Sequence, residues 1–234
     1  MQSMGIIRKI KKSVSLTVSR LAPNRWKEFS ELRYWKGRKK SEGVLTNDHY
    51  EYFYTGHFGL DRAYYSGKVI VDIGCGPRGS LEWAESASRR IGVDPLADQY
   101  LKLGASEHSM EYLGSPSENI PLEDGSCDAV FSFNSLDHVE DIDRTIAEIK
   151  RITRPGSIFL LLVEVNHEPT ACEPHRLTPE GLIQAFAPEF KCTEPVLYTP
   201  IPGIGMYESI QKGVTIRYPD PTGQVAYFSA KFVR

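Results

Sequence analysis

In the stretch VIVDIGCGPRG, Val69 to Gly79, an apolar run gives way to a turn almost stripped of side chains. Gly74, Gly76 and Gly79 fall within six residues. A short apolar run bounded by glycine reads as a strand buried on both faces, so a strand is predicted over 68–73. A helix is predicted to follow, starting at Ser80 or Leu81 and covering 79–88. Between them, Gly74, Cys75 and Gly76 let the backbone turn sharply and present main-chain N–H groups to whatever lies against the turn.

An acid at the right distance strengthens that reading. Arg89-Arg90-Ile91-Gly92-Val93-Asp94 is a second short apolar strand, and Asp94 stands twenty positions after Gly74. Nucleotide-binding βαβ units place an acid there to hold ribose hydroxyls. The bland alternative is a tight βα turn with a solvent-facing Asp94.

Outward from this pair, further strands are predicted near 110–113, 128–133 and 157–164, and helices near 96–104, 141–153 and 178–187. Short apolar strands alternating with helical stretches imply a largely parallel sheet with helices on both faces. VTIRYP and QVAYFSAKFV, joined around Asp220-Pro221-Thr222-Gly223, read as an antiparallel pair closing the sheet.

Ahead of the sheet, residues 1–66 differ in character. Residues 1–40 carry a net charge of +10 and the remainder −12, for an overall −2. Ile6, Ile10, Val14, Val18 and Leu21 recur at helical spacing among lysines, and Pro23-Asn24 would end that helix. It fits a lid packed on its own domain, or a basic foot on an anionic membrane face. Aromatics crowd residues 26–65, with helices predicted near 26–40 and 46–66; they could line a substrate mouth or glue the helices to the body. The division expected is an N-terminal helical arm or lid, 1–66, and a ligand-binding domain, 67–234.

Composition narrows the function classes. No apolar run approaches the roughly 18–20 residues of a membrane span, and SVSLTVSRLA is too polar for a signal-peptide core. A cytoplasmic chain, at most touching the inner membrane surface, is expected. Cys75, Cys127, Cys172 and Cys192 lack ligand spacing and read as reduced thiols. No G-x-S-x-G nucleophile elbow is present.

DIGCG followed by IGVDP resembles the class I S-adenosylmethionine-dependent methyltransferases, in the small-molecule, type 11-like branch. SENIPLEDGSCDAVFSFNSLDHVED is similar to that family's fourth-strand region, and ITRPGSIFLLLVE to its fifth. The resemblance covers roughly residues 68–165. It implies a Rossmann-like, seven-stranded, mostly parallel sheet with an antiparallel C-terminal strand, and S-adenosyl-L-methionine as cofactor. By that resemblance Asp72, Gly74, Cys75 and Gly76 lie under the methionine moiety, and Asp94 takes the ribose hydroxyls. Pro95 and Leu96 border the adenine face, Ser117, Glu118 or a backbone carbonyl beside them its edge, and Asn134 and Ser135 the methionine end. Two departures stand out. Arg78 displaces the third glycine of G-C-G-x-G by one position, and Pro116 replaces an acid that often receives the adenine amino group.

Acceptor hydroxyls need a proton removed, and histidine is the usual agent. His138 follows Asn134-Ser135-Leu136-Asp137 at the sheet's carboxyl end, where ligands bind in such folds. It is either a base or a packing residue. A second cluster follows the fifth strand: Glu164, Asn166, His167, Glu168, Glu173 and His175. It could hold a metal, hydrogen-bond a polyhydroxylated acceptor, or cap the helix near Thr178. His138, His167 and His175 are thus the catalytic candidates, and no metal is expected.

The reading favoured is methyl transfer to a small-molecule or glycan hydroxyl. FSELRYWKGRK…LTNDHYEYFYT resembles methyltransferases of bacterial surface-polysaccharide assembly. A nucleic-acid methyltransferase is the second reading, from the basic arm. Against it, the body is acidic and no N-P-P-Y-like motif follows the fourth strand, so no nucleic-acid partner is expected. A non-catalytic protein keeping the cofactor fold is the third.

Overall fold

The computed structural model describes residues 23–47 and 50–234. The basic amphipathic helix expected over 6–21 lies outside the described residues. Pro23 sits in the first turn of helix α1, Pro23–Glu42, where its missing N–H breaks no helical hydrogen bond.

Nine strands form one sheet. Val69–Ile73 (β1), Arg89–Val93 (β2), Glu111–Leu113 (β3), Cys127–Phe133 (β4) and Thr153–Val165 (β5) make its parallel part, in spatial order β3-β2-β1-β4-β5. Lys191–Cys192 (β6), Val196–Tyr198 (β7), Thr215–Ile216 (β8) and Ala226–Val233 (β9) complete it with antiparallel pairings. The reversal of strand order between β2-β1 and β4 puts a crevice at the carboxyl ends of β1, β2 and β4, where ligands bind in such sheets.

Two apolar layers cover the sheet. On one face Val71, Val130 and Phe159 meet Ile146, Ile149 and Ile152 of α4 (Ile142–Ile152), together with Leu182 and Phe186 of α5 (Pro179–Phe186). On the other, Ile70, Phe131 and Leu160 meet Phe53 and Tyr54 of α2 (Glu51–Tyr54), Phe58, Tyr65 and Trp83. Helices α3 (Ala97–Lys102) and α6 (Met206–Lys212) complete the described set of α-helices.

Three expectations about elements are corrected. No helix forms over 79–88: the chain makes successive tight turns, with Glu82 N–H bonded to Gly79 O, Ala84 to Leu81 O and Ala87 to Ala84 O. Glu82 explains why, because its carboxylate accepts the Ser109 and Met110 amides and its carbonyl accepts Arg90. The helix over 46–66 breaks into α2 and 3-10 turns at Gly56–Phe58 and Arg62–Tyr65. Gly59 in left-handed conformation (φ 67°) and Asp61, whose side chain caps Tyr64 N–H, interrupt it. Finally, the two C-terminal stretches do not pair with each other. β9 is buried almost throughout and takes β5 on one edge and β7 on the other, so β8 reaches the sheet through β7. β6 and β7 are too short to leave a pattern, which accounts for nine strands rather than seven.

Candidate functional site

A cavity of about 1100 Å³ opens at the crevice. Asp72, Gly74, Cys75, Gly76, Asp94, Pro95, Leu96, Ser117, Glu118, Asn134 and Ser135 all line it. So does His138, whereas His167 and His175 do not stand on its wall.

The floor is the glycine turn. Gly74 (φ 73°) donates its N–H to Val93 O at 2.8 Å, tying the end of β1 to β2. A Cβ on Gly74 would come within 2.3 Å of Ser135 Cβ. Ser135 must stay that close because its hydroxyl donates to Ile73 O at 2.7 Å and pairs with Ser132 at 2.7 Å, clamping β4 to β1. Asn134 holds the left-handed region (φ 56°) that Asn tolerates better than most side chains.

Two acids sit at the bottom. Asp94 accepts the Leu96 amide at 2.9 Å and the Gly76 amide at 3.2 Å. Burial raises its pKa to about 6, with the Leu96 and Gly76 amides pulling back down. A carboxylate offers about four lone-pair sites, so two remain for hydroxyls. Asp72 accepts the Tyr54 hydroxyl at 3.0 Å, and burial raises it to about 7 against the Ser80 and Tyr54 hydroxyls. Tyr50, Tyr54 and Tyr207 complete this wall.

At the opposite edge, Glu118 braces the loop before α4: its Oε1 accepts the Glu140 and Asp141 amides at 2.8 and 3.0 Å. The Ser117 hydroxyl pairs with Thr145 at 2.9 Å and donates to Glu118 at 3.2 Å. Both predicted adenine-edge side chains therefore already have partners.

The roof is α1. Lys27, Glu28, Glu31, Tyr34 and Trp35 face the cavity, and Trp35 Cζ2 lies 3.3 Å from where a Cβ on Gly76 would stand. Arg78 holds the roof down. Its guanidinium donates to Thr46 O and Glu42 at 3.0 Å each, and stacks over Trp35 at 5.4 Å. The residue that displaces the third glycine is thus the staple between glycine turn and roof. Its standing out as a departure is the sequence signal that points to it. The aromatics of 26–65 serve both expected purposes, Trp35, Tyr50 and Tyr54 on the cavity and Phe53, Phe58 and Tyr65 in the core.

The cluster after β5 divides. Asn166 and Glu168 turn away, to Gln224 O and to Arg176. His175 donates to Val139 O at 2.9 Å, stitching this loop to the one after β4. His167 and Glu173 approach Asp137, the residue beside His138. His138 Nε2 lies 3.9 Å from Asp137 Oδ1 and 3.8 Å from Glu173 Oε1, and His167 Nε2 lies 3.9 Å from Asp137 Oδ2. Asp137 escapes sequence reasoning as a functional candidate because its partners are distant in sequence.

The strand order, the glycine turn and the acid after β2 define a class I methyltransferase fold. Residues 71–161 match the family described as "Methyltransferase domain". Malonyl-[acyl-carrier protein] O-methyltransferase from Pectobacterium atrosepticum is 30% identical over 96 residues, which are 41% of this chain and 38% of that protein. The match thus spans well under half of that relative's length. An S-adenosylmethionine-dependent methyltransferase from Mesorhizobium loti superposes with a TM-score of 0.56 at 17% identity, over 73% of this chain and 92% of that one. Geranyl diphosphate C-methyltransferase from Streptomyces coelicolor, solved with Mg2+, geranyl diphosphate and S-adenosyl-L-homocysteine, gives 0.53 at 16% identity, over 76% and 75%. Residues 71–161 thus match a methyltransferase domain, and the sheet around them has the fold of the class I, S-adenosylmethionine-dependent methyltransferases.

The cavity fits that cofactor. Its volume of about 1100 Å³ stands at the upper end of ligand pockets, which run from about 300 to 1,000 Å³. Its floor admits no side chain at Gly74, and buried Asn47 Oδ1 on its wall has no hydrogen-bond partner among the described residues.

Proposed function

We propose that the protein transfers a methyl group from S-adenosyl-L-methionine to a hydroxyl oxygen of a small-molecule or glycan acceptor. One observation carries this reading: a single cavity runs from Asp94 past the glycine turn to His138. Bound there, the cofactor supplies an already activated methyl group on a sulfonium. What is left to the protein is alignment and proton management.

Asp94 would hold the ribose hydroxyls with its two remaining lone-pair sites. Asp72, kept in place by the Tyr54 hydroxyl, would face the methionine ammonium. Because Ser117 and Glu118 are already bonded, main-chain groups of 116–118 would meet the adenine edge. The acceptor would lie beyond the turn, among Lys27, Tyr50, Tyr207 and His138. His138 is the candidate histidine on the wall, flanked by Asp137 and Glu173, and would receive the acceptor's proton. The curated relative's name specifies O-methyl transfer, which supports oxygen as the accepting atom. The glycan half of the reading rests on the N-terminal resemblance to surface-polysaccharide methyltransferases.

Calorimetry with S-adenosyl-L-homocysteine, followed by mass spectrometry of products from a panel of sugars and lipid-linked glycans, tests the proposal. Binding plus the mass gain of one methyl group on a hydroxylated acceptor is expected; absence of binding sinks it. His138→Ala is expected to slow turnover by about 10²-fold, the lower end of general-base effects, with cofactor affinity essentially unchanged.

A further inference from the structure

We propose that Asp137, His138 and Glu173 form a binding site for a divalent transition-metal ion, of the manganese-to-zinc class, at the acceptor end of the cavity. Each of the three residues offers one ligand atom, and these atoms all lie within 4.8 Å of one another. His138 Nε2 is 3.9 Å from Asp137 Oδ1 and 3.8 Å from Glu173 Oε1. With the third separation no more than 4.8 Å, a point equidistant from the three atoms stands at most about 2.5 Å from each, close to the ~2.0–2.2 Å of zinc–nitrogen and zinc–oxygen bonds. A small closure of the two loops would complete the geometry.

Independent observations show that this cluster holds polar atoms without partners among the described residues. Asp137 is 2% exposed, yet its Oδ1 has no hydrogen-bond partner among the described residues. A buried carboxylate left in that condition is costly unless a cation meets it. Its other oxygen faces His167 Nε2 at 3.9 Å, and that buried nitrogen is also unpartnered among the described residues. His167 Nδ1–H donates to Glu168 O at 3.0 Å, so in the neutral ring Nε2 carries a lone pair. The two atoms stand 3.9 Å apart, beyond hydrogen-bond reach, in a buried setting. Lys27 adds its charge from α1, but no ion pair joins it to Asp137 or Glu173 among the described residues.

The donor set chooses the class of ion. One imidazole with two carboxylates suits manganese through zinc, whereas magnesium and calcium favour oxygen alone. Glu173 is already oriented as a ligand. Thr170 Oγ1 accepts its amide at 3.0 Å and donates to its Oε2 at 3.2 Å, leaving Oε1 for His138. Outer contacts of this kind orient metal ligands. Three protein donors leave coordination positions open, and on the cavity side one would receive an acceptor oxygen. With an ion in place, His138 would serve as its ligand instead of as the base, and the ion would acidify a bound acceptor hydroxyl, whose proton would pass to solvent. This use rests on the proposed function, while the existence of the site does not.

The test uses tag-free, full-length protein, stripped with EDTA and dialysed, without acceptor. MnCl2 is titrated by electron paramagnetic resonance, ZnCl2 by competition. One Mn2+ per chain, displaced by Zn2+, is expected, and Glu173→Gln and His138→Ala each weaken binding at least about tenfold. Circular dichroism and S-adenosyl-L-homocysteine affinity of Glu173→Gln should match wild type, which separates a lost ligand from a lost fold. Absence of stoichiometric binding, or binding undiminished in both variants, overturns the site. If stripped protein binds no metal yet methylates, this inference falls and the proposed function stands. If the metal binds as expected without methyl transfer to any acceptor, the site stands and the proposed function falls.

Discussion

Asp94 and Asp72 are both buried carboxyls with raised pKa values, and each yields a measurable consequence. Asp94→Ala should cost about 2 kcal/mol of S-adenosyl-L-homocysteine affinity, the range for hydrogen bonds to a charged group. In the wild type, affinity should fall as pH drops through about 6, where the carboxylate protonates; calorimetry on either side of that pH reads both. Asp72 adds a stability effect. Its folded-state pKa of about 7 lies above the ordinary 3.8, so the ionised form is penalised in the folded chain, fully above that folded value and less as pH falls toward the ordinary one. Asp72→Asn should therefore stabilise the ligand-free protein in mildly alkaline buffer by up to a few kcal/mol, at about 1.4 kcal/mol per unit, as read by urea denaturation. That advantage should shrink in mildly acidic buffer. Asp94 is legible in the sequence because it follows β2 twenty positions after Gly74, a spacing set by the βαβ unit itself. The roles of Arg78 and Asp137 are not, because the groups they meet, Glu42 and Glu173, come from elements remote in the chain.

At the scale of elements, local pattern succeeds where burial is two-sided and fails where side chains compete with the backbone. β1, β2 and β4 stand where predicted, as do α4 and α5 within a residue or two, whereas β5 starts four residues before the expected 157 and includes the Arg154-Pro155-Gly156 stretch expected as its entering turn. The segment 79–88 has helix-like apolar spacing, yet Glu82 is drawn off to receive the amides of 109 and 110. Nothing local announces that bond. The roof helix α1 is similarly nonlocal: besides Trp35 packing near Tyr100, it is tied to the body by Arg78, which pairs with Glu42 at 2.8 Å and is itself 8% exposed. Arg78→Ala should leave the sheet folded while releasing α1. Hydrogen exchange over residues 27–42 should rise, with that of β1 and β4 unchanged, and cofactor affinity should fall several-fold as Trp35 leaves Gly76.

Across the whole molecule, the final strand is the one that joins the parts. β9 runs between β5 and β7 and carries Phe228 and Phe232 into the face holding α4 and α5. Phe232 packs against Phe159 at 5.8 Å and Phe186 at 4.9 Å between ring centres. Phe232→Ala should cost about 3–5 kcal/mol, the usual penalty for emptying a buried aromatic site, and urea denaturation should show one cooperative loss rather than detachment of the C-terminal strands alone. The sequence announces β9 but not its central station, since the two neighbours that flank it on the far side are two and three residues long. The paired acids of the cavity floor act on this scale too. Methyl transfer leaves the spent cofactor with one positive charge fewer than the fresh one. A dry floor with two carboxyls that ionise near pH 6 and 7 would therefore hold the cationic form more tightly than the neutral one, and increasingly so as pH rises.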